Sequence, residues 1–244
     1  ELGSGTQDAG KIEFEDMFDL EEIQRLQDQF SDATGVASII TRTDGKPITR
    51  PSNFCRLCND IIRQTEQGQR NCYASDACIG QHHPEGPIVQ VCLSGGLWDA
   101  GASITVGGRH IANWLIGQVR NEAQSEEDMR AYARKIGVDE QTFIAAFHEV
   151  PTMSQEQFHR VSRALFTLAN QISRIAYQNV QQFRSIVELK RIQEALRREK
   201  DFSSTMLQSF PVFFVALDRD GTTKMMNNYM LRTLGYTLQE VIGK

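Results

Sequence analysis

Apolar and polar positions along the chain switch between helical and strand periods. After Asp19 the apolar residues Leu20, Ile23, Leu26 and Phe30 recur at helical spacing, with Asp19 as N-cap, Glu22 placed for a capping box and Thr34-Gly35 as the stop. A β-prone run over 36–41 then meets the turn Thr43-Asp44-Gly45-Lys46, and 47–49 begins a predicted return strand. Two short helices or helical turns are predicted over 54–65 and 68–80, followed by a loop over 81–87. Three β runs cover 88–93, 100–106 and 110–115, the last two joined by a tight turn at Gly107-Gly108. Ser125 opens a helix that Gly137 stops, and Asp139 opens another that ends before Pro151. Strands joined mainly by hairpins and interspersed with helices predict an α+β fold, a PAS/GAF-like antiparallel sheet with flanking helices packed on one face.

Residues 152–210 contain neither Gly nor Pro. Val161, Leu168, Ile175, Leu189 and Leu196 share one heptad register, and Leu165, Ile172 and Ile186 share the alternating one. Asn179, Gln182 and Gln193 are polar at seam positions, which lowers stability but fixes register and strand number. This pattern predicts a long coiled-coil helix that pairs as a parallel homodimer. The competing reading is an amphipathic helix packed on its own domain. Beyond it, an apolar strand at 213–217, a turn at Asp218-Arg219-Asp220-Gly221, a strand at 224–227 and a helix capped at Thr237 predict the opening of a second mixed unit. The expected organisation is a flexible leader over 1–12, a sensory domain over 13–152, a coiled-coil signalling helix over 153–205, and the first part of a further domain over 206–244. That last part is expected to be partly disordered or completed by a neighbouring chain.

Composition narrows the function classes. Net charge is −5 with both signs interspersed, so no basic patch suits nucleic acid, and nucleic-acid contact is not expected. No apolar run reaches the length of a membrane span and no charged-then-apolar leader opens the chain, so a cytoplasmic location without a membrane partner is expected. No Ser-His-Asp set, paired carboxylate motif or phosphate loop stands out, so no catalysis is expected from this segment.

The candidate chemistry lies in five cysteines crowded between residues 55 and 92. Three readings compete for Cys55, Cys58, Cys72, Cys78 and Cys92. They can be buried core thiols; ligands of zinc or an iron–sulfur cluster, with help from His82 or His83; or the partners of a redox-responsive disulfide. Cys55 and Cys58 are three apart, on one face if helical, which favours joint ligation or joint burial. For a small-ligand pocket, Phe54, Trp98, Ile104, Trp114 and Gln118 offer apolar walls with few polar handles, although each taken singly reads as core. Trp98-Asp99 is expected in a Gly-flanked loop over 95–101, with Asp99 as a solvated carboxylate or the anchor of a ligand hydroxyl or amine.

Separated motifs carry a resemblance. Phe54-Cys55, Glu66-Gln67-Gly68-Gln69-Arg70-Asn71-Cys72, Ser75-Asp76, Pro87-Ile88-Val89, Val91-Cys92-Leu93-Ser94-Gly95-Gly96-Leu97 and Leu115-Ile116-Gly117-Gln118-Val119 together resemble the PocR sensory domain over residues 14 to about 180. The resemblance implies a ligand-binding module of bacterial and archaeal regulators, with Cys55, Cys72 and Cys92 at the family's cysteine positions. The stretch from Phe210-Pro211 through Asp218-Arg219-Asp220-Gly221 to Leu234-Gly235-Tyr236 is similar to the opening of a PAS domain, which implies a PAS sensor after the helix and an output, commonly a histidine kinase or cyclic-nucleotide enzyme, further along. The expected function is a sensory module of a signal-transduction protein, such as a two-component sensor kinase, that binds a small molecule at Phe54, Cys55, Cys72, Cys92, Trp98, Trp114 and Gln118. The alternative is a cysteine-based metal or redox sensor.

Overall fold

The structure is a computed structural model that describes residues 13–120 and 124–244; the leader expected over 1–12 lies outside the described residues. The chain divides into two units, Glu1–Val180 and Gln181–Lys244.

The first unit is built on a four-stranded antiparallel sheet of order β1-β4-β3-β2, with β1 at Ala37–Thr41, β2 at Ile88–Val91, β3 at Trp98–Val106 and β4 at Arg109–Val119. The fold class follows the hydrophobic pattern, but three local expectations change. The segment after β1 makes isolated bridges to it at Pro47 and Ser52 rather than a strand. Pro47 and Pro51 lack the N–H a ladder needs, and side chains of helix α1 (Leu20–Thr34) take over. The Gln27 amide donates to the Ser38 and Arg50 carbonyls at 3.2 and 2.8 Å, and Thr49 Oγ1 donates to Gln27 Oε1 at 2.5 Å. Strand β3 starts at Trp98, so Trp98 and Asp99 lie in the sheet and the loop closes earlier, where the Cys92 N–H donates to the Leu97 carbonyl at 2.9 Å. Gly101, expected to end that loop, pairs with Ile88 and Leu115 in mid-sheet. A Cβ there would stand 2.6 Å from the Ile79 carbonyl oxygen, so glycine lets helix α2 (Glu66–Ile79) lie against the strand.

Helices cover both faces rather than one. On one side Trp114, Ile40, Ala102, Ile104 and Ile116 bury against α1 and the start of helix α5 (Gln155–Ser209). On the other, Ile39 and Leu115 meet Ile79 of α2 and Phe54. A further cluster joins the π-helical turn Leu57–Ile61 to helices α3 (Glu126–Ile136) and α4 (Glu140–Glu149). Ser125 and Asp139 cap α3 and α4 through their side-chain oxygens, as their positions in the sequence predict.

Helix α5 divides the heptad positions by burial. Phe158, Leu165, Ala169 and Ile172 are buried against the sheet of the first unit, and Ser173 Oγ accepts the Thr105 N–H at 2.9 Å beside an irregularity in the β3–β4 register. Leu165 and Ile172 therefore belong to the domain core. Ile175, Ile186, Leu189 and Leu196 are exposed. In the second unit β5 (Val215–Leu217) and β6 (Thr223–Met226) form an antiparallel ribbon followed by α6 (Asn228–Leu234) and α7 (Leu238–Val241). Buried Asn227 ties this unit together, donating to the carbonyls of Leu207, Phe210 and Val212 and accepting from the N–H groups of Phe214 and Met230.

Candidate functional site

The site is a cavity on the α2 side of the sheet, made by a bulge. Between the pairs Trp98↔Val119 and Ala100↔Ile116 the register shifts, so Gly117 and Gln118 of β4 face the single residue Asp99 of β3. Gln118 takes the left-handed conformation this requires, with φ 58°, and its N–H donates to Asp99 Oδ1 at 2.9 Å. Gly117 makes room: a Cβ there would stand 1.9 Å from that oxygen. The Gln118 side-chain Oε1 accepts the Cys55 N–H at 2.8 Å.

Arg63 reaches the same cavity from the 3-10 turn Ile62–Gln64. It pairs with Asp76 of α2 at 2.9 Å, with both side chains largely buried. Its guanidinium lies 5.0 Å from the Phe54 ring centre and 6.0 Å from that of Tyr73, within cation–π range. Arg63 Nε is enclosed and has no hydrogen-bond partner among the described residues. An unpaired buried donor of this kind is costly unless a solvent molecule or ligand meets it. The cavity is lined by Phe54, Arg63, Asp76, Asp99 and Gln118 together with Ile39, Ile79 and Leu115, and holds about 30 Å³ of room for the centres of water-sized molecules.

Two carboxylates titrate abnormally here. Burial pushes Asp99 up to about 7, although the hydrogen bond from the Gln118 N–H pulls the other way. Burial likewise pushes Asp76 up to about 6, with Arg63 opposing. Strong shifts of this kind, gathered in one cleft, mark functional sites more often than scaffolding.

Four of the five cysteines adjoin this cavity. Cys55 and Cys92 are half-buried, Cys58 and Cys72 buried, and all four pack in the cluster with Leu57 and Leu97, whereas Cys78 is exposed on α2. All five are free thiols. Cys72 Sγ lies 3.3 Å from Ser94 Oγ, and the Gly95 N–H donates to Cys92 Sγ at 3.4 Å. Burial pushes the Cys72 and Cys92 thiols up, and the Asp99 charge adds to this at Cys92. Among the described residues no group of three or more His, Cys, Asp and Glu is arranged to hold a metal ion. His82 instead bonds to Ser103, 2.8 Å away.

The residues singled out in the sequence thus separate into two layers. Phe54 and Gln118 line the cavity, and Cys55, Cys72 and Cys92 lie beside it. Trp98, Ile104 and Trp114 face the opposite side. Trp114 is fully buried, stacks edge-on to Phe30 and donates its Nε1–H to Ser38 Oγ at 2.9 Å. Trp98 meets Phe158 of α5 edge-on at 5.7 Å. Strand alternation separates each tryptophan from the cavity. Arg63, Asp76 and Asp99 form its polar lining. Of these the sequence had drawn notice to Asp76, through the motif Ser75-Asp76, and to Asp99, while Arg63 gave no signal of its own.

The family described as the sensory domain found in PocR matches residues 16–177, which span the sheet, the cavity and the buried part of α5. The chain belongs to this family. The regulatory protein PocR of Salmonella typhimurium is 30% identical over 102 residues, covering 41% of this chain and 33% of that protein, so the chain spans about a third of the length of this curated relative. Two solved structures show remote likeness only. The E. coli DhaR(N)–DhaL complex has TM-score 0.34 and 12% identity over 92% of this chain and 69% of that one. An RNA-binding Light-Oxygen-Voltage receptor has TM-score 0.20 and 13% identity over 86% and 76%. By its family, the domain over residues 16–177 is a sensory domain. No helix among its described residues is long and apolar enough to cross a membrane.

Proposed function

We propose that the PocR domain binds a small polar molecule in the cavity of Arg63, Asp76, Asp99, Gln118 and Phe54, and that occupancy is relayed to α5. The observation that carries this reading is the enclosed, unpartnered Arg63 Nε beside a carboxylate shifted to about 7. Together they ask for a guest with an acceptor for the guanidinium and a hydroxyl or amine for Asp99. The room present suits a molecule that replaces a few waters, and a larger guest would displace the Phe54 ring or break the Arg63–Asp76 pair. The relay is short. Asp99 points into the cavity while its neighbour Trp98 points through the sheet onto Phe158 of α5. A shift of Asp99 therefore moves a residue packed on the signalling helix. The exposed seam Ile175, Ile186, Leu189 and Leu196 would then pair with a second copy, so that the shift reaches the second unit, read here as PAS-like, as a change in a dimer.

A panel of small alcohols, amines and carboxylates, scored by thermal shift, tests the cavity. The expected result is at least one compound that raises the melting temperature of the wild type and of Cys78→Ser, with the shift lost in Arg63→Gln and Asp99→Asn. A compound that stabilises all four proteins equally binds elsewhere and overturns the assignment.

A further inference from the structure

The cysteines beside the cavity carry a second inference, independent of the ligand reading. Cys55-Arg56-Leu57-Cys58 leads into the π-helical turn Leu57–Ile61: the Cys55 carbonyl accepts the N–H groups of Cys58 and Asn59 at 3.1 and 3.0 Å, so the chain is already helically wound from Cys55 and Cys58 follows it one turn on. Cys55 is half-buried and Cys58 is buried. We infer that Cys55 and Cys58 form a peroxide-responsive dithiol, with Cys55 as the attacking sulfur and Cys58 as the resolving one.

The electrostatics fit this division of roles. A hydrogen-bonding contact with the Cys58 thiol holds Cys55 below the usual thiol range, outweighing its partial burial. The same contact together with burial keeps Cys58 protonated. Thiolate character at the less buried sulfur with a protonated thiol beside it is the arrangement that redox-active C-x-x-C pairs use.

The chemistry balances with a hydroperoxide as oxidant. The Cys55 thiolate attacks one peroxide oxygen, the O–O bond breaks, and the departing oxygen takes up the proton that Cys55 gave, leaving as water or an alcohol. Cys55 then carries the other oxygen as a sulfenic acid. The Cys58 sulfur attacks the Cys55 sulfur, the S–S bond forms as the S–O bond breaks, and the Cys58 proton leaves with the hydroxyl as water. Two thiols and one hydroperoxide yield one disulfide, one water and one further water or alcohol.

Closure also has a mechanical effect. Residues three apart on a helical turn have Cβ atoms about 5–6 Å apart, whereas a disulfide holds them at about 3.5–4.5 Å, so oxidation draws the turn together. The Cys55 N–H that would move is the one held by Gln118 Oε1, and both Gln118 and Phe54 line the cavity.

The test is peptide mapping of the full chain after hydrogen peroxide, digested with trypsin without reductant. Trypsin cuts after Arg56, between the two cysteines, so the fragments 43–56 and 57–63 stay together only if a disulfide joins them. The expected product is that joined pair, lighter by two hydrogens, released by dithiothreitol and absent from Cys55→Ser. In Cys58→Ser the pair is expected to vanish and Cys55 to be trapped by dimedone as a sulfenic acid. Fragment 43–56 joined to 71–109, which carries Cys72, Cys78 and Cys92, would overturn the assignment, as would wild-type protein that yields no linked fragments. The wild-type map decides the pairing even if a serine variant folds poorly.

Discussion

Asp99 is a carboxylate that the fold holds partly against its charge. Its folded value of about 7 lies above the ordinary 3.8, so between about pH 4 and about pH 7 the folded state binds more protons than the unfolded one, and stability falls as pH rises through that window. Asp76, at about 6, contributes with the same sign. Asp99→Asn keeps an oxygen to accept the Gln118 N–H and removes the ionisation. The expected outcome is a variant whose melting temperature declines less than that of the wild type across this range, measured by circular dichroism in matched buffers. An unchanged slope would mean that the group does not titrate there. Sequence alone made Asp99 a solvated loop residue or a ligand anchor, because Gly95, Gly96 and Gly101 around it read as turn signals. Gly101 is there for close approach of α2 instead, and a local pattern cannot tell these two uses of glycine apart. The Arg63–Asp76 pair was equally illegible, since its members lie thirteen positions apart across turn and helix and only the tertiary placement of α2 joins them.

At the level of elements, what short-range chemistry dictates could be read directly. Asp19, Ser125 and Asp139 cap α1, α3 and α4, and Gly35 and Gly137 end α1 and α3 with positive φ. What depends on long-range pairing could not, and the segment after β1 shows why. Its backbone is satisfied by Gln24 and Gln27 of α1, two amides whose helical positions alone suggest nothing but a solvated face. Gln27 is fully buried. Gln27→Ala leaves the Arg50 carbonyl and Thr49 hydroxyl without this partner and is expected to cost about 2 kcal/mol, read as a lower urea midpoint at unchanged slope. A cost near zero would show that water replaces the amide.

For the whole molecule, the heptad positions divide into buried and exposed ones. Leu165 and Ile172 pack inside the first unit, so a charge there would damage the sensory domain and report nothing about pairing. Leu189 and Leu196 are 65% and 64% exposed and are free to meet a second copy. Leu189→Asp with Leu196→Asp is expected to halve the mass measured by light scattering while the first unit melts as before. A dimer that survives both changes would place the contact elsewhere.

The bond from Thr105 to Ser173 constrains how the helix can move on the first unit. The N–H it satisfies lies where the β3–β4 ladder is irregular, and Ser173 Oγ also donates back to the Ala169 carbonyl within α5. A one-turn slide of α5 along its axis, about 5.4 Å, would carry Ser173 out of reach and leave the strand donor bare. Swivelling about that point, or tilting with it as a pivot, keeps the bond. The helix is pinned like a lever at Ser173, so a movement of α5 on the first unit that keeps this bond is a change of angle, not of height.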